Sequence, residues 1–458
     1  MDETLTRRLI DAVGAENVLT DAASLERYGQ DALGIGHPPD LVVIPANTQE
    51  IAKIAHLCND RRVPLVVRGA GTGYTGGAVP TCGGVVLSTE RLNKILEIDE
   101  TNLLAVVEPS VVTADLQRAV EGVGLFYPPD PASLEISSIG GNVAECAGGP
   151  RGFKYGTTRR YVLALEAVLP SGQVIETGSK AVKNVVGYDL TQLLVGSEGT
   201  LAIITRVTLR LVPKPPARAT VMAIFKDIQS AVDAVTVLIR QRVVPATLEI
   251  VDAEALKAVS GHLGRPVAPG DTGAMLIVEV DGTETAVNED IDEAARACRQ
   301  AGATGVMPAT DDDERDRLWS ARRLISIALR STGLLKINHD VVVPRGRVPE
   351  LFKAIDNLRE TYRLQIVAFG HAGDGNIHVN LMIDRNDPQQ RVRAKDAERA
   401  LFERVVSLEG SISGEHGIGF AKAAYIGIEL SPDEIALMKR VKAAFDPNGI
   451  LNPGKIFP

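Results

Sequence analysis

Phe369-Gly370-His371-Ala372-Gly373-Asp374-Gly375-Asn376-Ile377-His378-Val379-Asn380-Leu381 sets two of the chain's 7 histidines on either side of an Asp-Gly pair. Asp-Gly between strand-like runs is a hairpin signal, so both imidazoles can face one point. On the second strand, the period of two puts His378 and Asn380 on one face and Val379 and Leu381 on the opposite, buried one. Further on, Ser413-Gly414-Glu415-His416-Gly417-Ile418-Gly419 adds a carboxylate and another imidazole between glycines. Two histidines and a glutamate are a common ligand set for zinc or manganese that leaves positions open for substrate. One histidine in such a strand is more often a satisfied core residue; the pair, with a second glycine-flanked site elsewhere, points to chemistry instead.

A second stretch, RGAGTGYTGGAVPTCGG over residues 68–84, holds seven glycines in seventeen positions. Residues 71–76 match G-x-G-x-x-G, yet a Rossmann loop must open into a helix whose N-terminus holds a pyrophosphate. Gly77, Pro80, Gly83 and Gly84 prevent that helix, and the next apolar run, Val85-Val86-Leu87-Ser88, reads as a strand. What remains is a loop of exposed N–H groups without side-chain bulk, able to wrap a phosphate in backbone nests. An ordinary surface loop would be richer in Ser, Asn and Lys. Three further glycine-dense loops follow: Pro128-Pro129-Asp130-Pro131 leading to Ser137-Ser138-Ile139-Gly140-Gly141-Asn142, then residues 148–156, then Val195-Gly196-Ser197-Glu198-Gly199-Thr200. Repeated close backbone approach of this kind implies one large, flat, extended ligand.

The elements that must position these residues follow from periodicity. Strands are predicted over 41–44, 64–68 and 85–88 around a helix over 48–61, with further apolar runs at 163–169 and 201–211. Val212-Pro213-Lys214-Pro215-Pro216 is the strongest linker signal and sets a domain boundary at 214. Beyond it, strands over 220–225, 274–280, 341–343, 365–369 and 377–383 alternate with helices over 230–241, 284–300, 314–330, 349–362, 389–408 and 432–445. Such alternation suggests helices packed on one mostly antiparallel sheet. The fold class is therefore α+β, with domains over 1–214 and 215–423 and a helix and tail over 424–458. A chain of 458 residues also exceeds the roughly 250–300 at which one hydrophobic core stops growing.

Composition narrows the function classes. With 49 Lys and Arg against 58 Asp and Glu, the net charge is −9 without long single-sign blocks, so no nucleic-acid face is expected. Cys58, Cys82, Cys146 and Cys298 are far apart and form no iron–sulfur run. Met1-Asp2-Glu3-Thr4 lacks signal-peptide regions and no stretch reaches 18 uncharged apolar residues, so no transmembrane segment and a cytoplasmic location are expected.

Residues 68–77, 138–142 and 196–200 resemble the FAD-binding domain shared by vanillyl-alcohol oxidase and p-cresol methylhydroxylase. The chain is most similar, from about residue 20 to Asn452-Pro453-Gly454-Lys455-Ile456, to the FAD-linked 2-hydroxy-acid dehydrogenases: bacterial glycolate oxidase catalytic subunit, D-lactate dehydrogenase and D-2-hydroxyglutarate dehydrogenase. That resemblance implies a two-part FAD-binding domain of the p-cresol methylhydroxylase type, a substrate domain, and a tail returning to the flavin domain. Arg68, Gly69, Gly71, Thr72, Gly73, Thr75, Gly76 and Gly77 would hold the pyrophosphate. Ser138, Gly140, Gly141 and Asn142 would run beside the isoalloxazine and ribityl chain. Glu198, Gly199 and Ile203 would reach the adenosine end or the ring by backbone contacts, with Asn452 and Lys455 arriving from the tail. Asp130, Gly148, Tyr155 and Gly156 complete the expected cofactor contacts. Covalently flavinylated members often carry a histidine where this chain has Thr72, so the FAD is expected to be non-covalent.

By the same resemblance, His371, His378 and Glu415 bind a divalent metal, zinc or manganese, and His416 is the base. The ion lowers the pKa of the substrate hydroxyl, His416 removes its proton, and the α-hydrogen leaves as hydride to flavin N5. Leu318-Trp319-Ser320-Ala321-Arg322-Arg323 resembles the family's Trp-x-x-Arg segment, making Arg322 the carboxylate partner, with Asn380 orienting the substrate. The 2-hydroxyglutarate enzymes bind their second carboxylate with a lysine shortly before an Asp-x-x-x-Pro segment. Aligning on Asp340-Val341-Val342-Val343-Pro344 puts Asn338 there, with Lys336 two residues away, which favours glycolate or D-lactate. The alternatives are a D-2-hydroxyglutarate dehydrogenase and a non-catalytic flavin-binding subunit of a glycolate oxidase complex. A metallohydrolase would leave the glycine loops unexplained. Expected partners are the hydroxy acid, an iron–sulfur electron-transfer subunit and a second flavin-type subunit, docking at the inner membrane through them; a homodimer is compatible with the sequence.

Overall fold

A computed structural model describes residues 2–309 and 311–458. Two compact units divide the chain: the first takes the residues up to Gly148, Thr157–Lys214 and Glu415–Pro458, the second Gly149–Gly156 and Pro215–Gly414.

The first unit is built on two main sheets. One runs β1 (Val18–Leu19), β2 (Leu41–Val43), β4 (Val85–Ser88), β3 (Leu65–Arg68), with β4 parallel to both neighbours. The helix Thr48–Arg61 crosses between β2 and β3, capped by Asn47 and burying Ile51, Ile54, Leu57 and Cys58. Its spacing of three and four residues is the apolar stripe of a helix facing a core. The other sheet is antiparallel, in the order β5 (Ile95–Asp99), β6 (Leu104–Val107), β10 (Ile203–Arg210), β8 (Val162–Val168), β9 (Val174–Gly178). A short pair joins β7 (Leu125–Phe126) to β11 (Val212–Pro213). The tail is tied back into this unit: Asn452 donates its N–H to Leu65 O at 3.0 Å and accepts from Val67 N–H at 3.0 Å.

The second unit carries one seven-stranded sheet, in the order β15 (Gly305–Pro308), β12 (Ala217–Phe225), β14 (Ala274–Gly282), β13 (Thr247–Asp252), β17 (Gln365–His371), β18 (Asn376–Ile383), β16 (Leu335–Val342), every pair antiparallel. Helices Ala253–Leu263 and Asp312–Ser331 cover one face, where Ile325 and Leu329 are fully buried against Val251, Ile277 and Phe369. Each such side chain contributes about 1.5–3 kcal/mol. Helix Pro388–Ser407 lies on the opposite face, where Glu398 meets His339 of β16.

Two boundaries differ from the sequence reading. The second unit ends at Gly414 rather than 423, because Gly414 N–H is fixed to Asp340 of β16 while Ile418 and Gly419 N–H groups bind Glu198 of the first unit. Gly149–Gly156, read as a flavin loop, belongs to the second unit: Lys154 pairs with Asp281, and Phe153 packs on Gly373 under Arg345.

Candidate active site

The hairpin β17–β18 brings the two histidines together, with ring centroids 5.3 Å apart and planes at 85°. Register places His378 opposite Phe369 on one side and Asp340 on the other, and Asn380 between Val367 and Asn338. His371, His378 and Asn380 are all buried. Asn380 donates its amide N–H to Val367 O and His378 O at 3.3 Å each, while its Oδ1 is buried with no partner among the described residues. A buried acceptor left over on a polar face is an expected mark of a ligand position.

The residue that organises this face is Glu249 of β13, which the sequence reading missed. It pairs in register with His371 and is completely buried. One carboxylate oxygen binds His371 Nδ1 and the other accepts from Arg322 Nε. Burial by itself would push this carboxyl up, but the charges of His371 and Arg322 and their hydrogen bonds hold it at about 2. Two consequences follow. A carboxylate on Nδ1 keeps the proton there and leaves His371 Nε2 as a ligand atom, the usual support behind a metal-binding imidazole. Glu249 also takes only the Nε edge of Arg322, so the two terminal nitrogens remain available as a fork for a carboxylate. Phe369 fixes the guanidinium from below, its ring centroid 4.7 Å from Arg322 Cζ.

Glu415 follows Gly414 directly, and the turn that launches it is pinned to β16. Gly414 N–H donates to Asp340 Oδ2 at 2.9 Å and Ser413 Oγ reaches Asp340 Oδ1 at 3.3 Å. His371, His378 and Glu415 supply two imidazoles and a carboxylate, a donor set that could hold a divalent ion with open positions. His416, the next residue, stacks on Tyr74 with centroids 5.4 Å apart, and its backbone oxygen accepts from Thr75 Oγ1 at 3.1 Å. The imidazole expected to act as base is thus anchored on the glycine loop.

That loop fits a phosphate-bearing cofactor. Among the described residues the N–H groups of Gly71, Thr72 and Gly73 donate to no protein acceptor. Ala70 N–H and Gly141 N–H both donate to Ser138 Oγ, at 3.4 and 3.3 Å, joining two of the predicted glycine loops. Arg68 lies beneath, donating to Gln30 O, and burial lowers its pKa. The side chains of other expected cofactor residues have partners within the protein. Asn142 donates to Thr113 Oγ1 at 2.7 Å, Ile203 sits in the core, and Glu198 accepts from Ile418 and Gly419 at 2.7 Å each. Tyr155 donates to Asp281 of β14 at 2.6 Å, in the second unit. Gly199 (φ +64°) and Asn452 meet at Glu198, whose backbone oxygen accepts from Asn452 Nδ2 at 2.7 Å.

Residues 214–456 match the family described as FAD linked oxidases, C-terminal domain, and residues 39–178 match the FAD binding domain. The chain belongs to the FAD-linked oxidases. It is 44% identical to glycolate oxidase subunit GlcD of Bacillus subtilis, over 98% of this chain and 96% of that protein. It is 36% identical to D-2-hydroxyglutarate dehydrogenase of Stutzerimonas stutzeri, over 100% of this chain and 99% of that protein. In fold it resembles p-cresol methylhydroxylase, with a TM-score of 0.80 at 19% identity, covering 99% of this chain and 96% of that one. This FAD-linked oxidoreductase therefore has the p-cresol methylhydroxylase type of flavin fold and is of the glycolate oxidase and 2-hydroxy-acid dehydrogenase kind. Among the described residues no helix is long and apolar enough to cross a membrane.

Proposed function

We propose that this oxidoreductase converts a small D-2-hydroxy acid, glycolate or D-lactate, to the 2-oxo acid and passes the electrons to an acceptor other than a nicotinamide. The observation that carries the reading is the donor set His371, His378 and Glu415, with Glu249 bracing both His371 and Arg322. The terminal nitrogens of Arg322 bind the substrate carboxylate, and Asn380 orients the substrate. His416 takes the hydroxyl proton as general base. A divalent ion, zinc or manganese, held by the three ligands supplies a Lewis acid that favours loss of this proton, and non-covalent FAD supplies the hydride acceptor.

A D-2-hydroxyglutarate reading is favoured by one observation: Lys336 lies on β16 one pleat from Asn338, on the same face, half-buried, and 3.4 Å from Ser326 Oγ. Burial lowers its ammonium to about 8. Specificity constants for glycolate, D-lactate and D-2-hydroxyglutarate decide between them. The monocarboxylate reading expects either of the first two to exceed the third by about tenfold or more; the reverse order overturns it, since one methyl is worth only about 1–3 kcal/mol but a missing charge partner much more. The Bacillus subtilis relative is named as a subunit of glycolate oxidase, which supports an assembly. The partner we propose is an iron–sulfur electron-transfer subunit, with a second flavin-type subunit beside it.

A further inference from the structure

Asp31 follows the helix Ala22–Tyr28 in an irregular stretch of the first unit. Its Oδ1 accepts from Leu33 N–H at 3.0 Å. Its Oδ2 is buried, has no hydrogen-bond partner among the described residues, and lies 3.9 Å from where a Cβ on Gly73 would stand. The carboxylate thus faces the loop whose Gly71, Thr72 and Gly73 N–H groups also lack acceptors. Two cations nearby are engaged elsewhere, Arg68 with Gln30 O and Lys455 with Val79 O. A carboxylate oxygen buried without a donor is costly, and an anion cradle is an odd place for an acid unless a donor arrives with the ligand. FAD carries such donors: the hydroxyls of its ribityl chain and ribose flank the pyrophosphate.

We propose that Asp31 is a cofactor-binding residue that accepts a hydrogen bond from a sugar hydroxyl of FAD beside the pyrophosphate. The glycine loop takes the phosphates through backbone N–H groups, and Asp31 distinguishes a dinucleotide from bare pyrophosphate, which has no hydroxyl to offer. Burial raises its carboxyl to about 6, against the opposing pull of the Leu33 and Gly76 N–H groups and of the Arg68 and Lys455 charges.

The test is FAD affinity, measured by quenching of flavin fluorescence, in FAD-stripped wild-type protein, Asp31→Ala and Asp31→Asn, with inorganic pyrophosphate as competitor. Losing a hydrogen bond to a charged acceptor predicts roughly 10- to 100-fold weaker FAD binding in Asp31→Ala. Pyrophosphate should bind this variant as well as wild type or more tightly, because a negative charge has gone. Asp31→Asn keeps the shape and the Leu33 cap and should lose roughly 3- to 10-fold, which carries the test if the alanine variant does not fold. Unchanged or tighter FAD binding overturns the proposal, because Asp31 would then only repel the phosphates. Equal weakening for FAD and pyrophosphate overturns it too, since the loop itself would have been disturbed.

Discussion

Replacing Glu249 with Gln tests whether one buried carboxylate holds the substrate-side face together. The substitution keeps shape but removes the charge shared by His371 Nδ1 and Arg322 Nε. Arg322's side chain is only 11% exposed, so its guanidinium would be left in a poorly solvated place without a counter-charge. Breaking one side of such a buried pair costs about 3–5 kcal/mol. In a unit of about 200 residues each kcal/mol shifts the melting temperature by about 2–4 °C, so calorimetry should show that unit melting about 6–20 °C lower. His371 also loses the group that fixes its proton on Nδ1, so chelator competition should show zinc or manganese held about 10- to 100-fold more weakly. Glu279→Gln is the control: it is also buried but binds only Thr220 and Trp319, and should lower stability without touching metal affinity. A Glu249→Gln protein melting within about 2 °C of wild type, with unchanged metal affinity, would refute the reasoning.

Three other outcomes follow. Asp340→Asn weakens the grip on Gly414 and Ser413, so metal binding should fall by about tenfold while FAD affinity stays put; equal metal affinity would mean that Glu415 does not depend on that turn. His416→Gln should slow flavin reduction by hydroxy acid by about 10²- to 10⁴-fold, and a stopped-flow rate close to wild type would remove it as the base. In FAD-free protein the Asp31 carboxyl, raised to about 6 from its ordinary 3.8, keeps a proton that the unfolded chain has already released. Its stabilising contribution is full below 3.8 and lost as pH rises through 6, at most about 3 kcal/mol. Urea midpoints of wild type should therefore fall relative to Asp31→Asn between about pH 4 and 7, and parallel curves would contradict the burial argument.

The hairpin was legible because its signals are local: Asp374-Gly375 makes the turn, and alternation decides which residues share a face with His378. Glu249 was not legible. Its strand is short, interrupts Leu248 and Ile250 with a charge, and runs without a turn into a helix capped by its own last residue, Asp252. A charged residue alternating into an apolar run, with no other reason to be there, was the only available signal. Glycine density has a second physical reason, since some glycines also serve protein packing: a Cβ on Gly140 would press on Pro109, and one on Gly76 would enter the Phe420 ring. The segment 149–156 reads as one more glycine-dense loop, and the partners that fix it, Asp281 and Gly373, lie more than a hundred residues away, beyond any local pattern. The Lys214 boundary lies at the proline-rich break, whereas the one at Gly414 depends on long-range bonds to Asp340 that its glycine-flanked stretch does not announce.

The central claim, that His371, His378 and Glu415 form a metal site on which oxidation of a hydroxy acid depends, is tested most directly by one paired measurement on wild type and His371→Ala. Metal content and FAD content are determined on the same samples, which are then mixed with D-lactate or glycolate without an electron acceptor while the flavin band near 450 nm is followed. The account predicts about one zinc or manganese per wild-type chain with rapid bleaching, and His371→Ala with full FAD, no bound metal and bleaching slowed by about 10²-fold or more. Wild-type bleaching in a metal-free His371→Ala protein would contradict it.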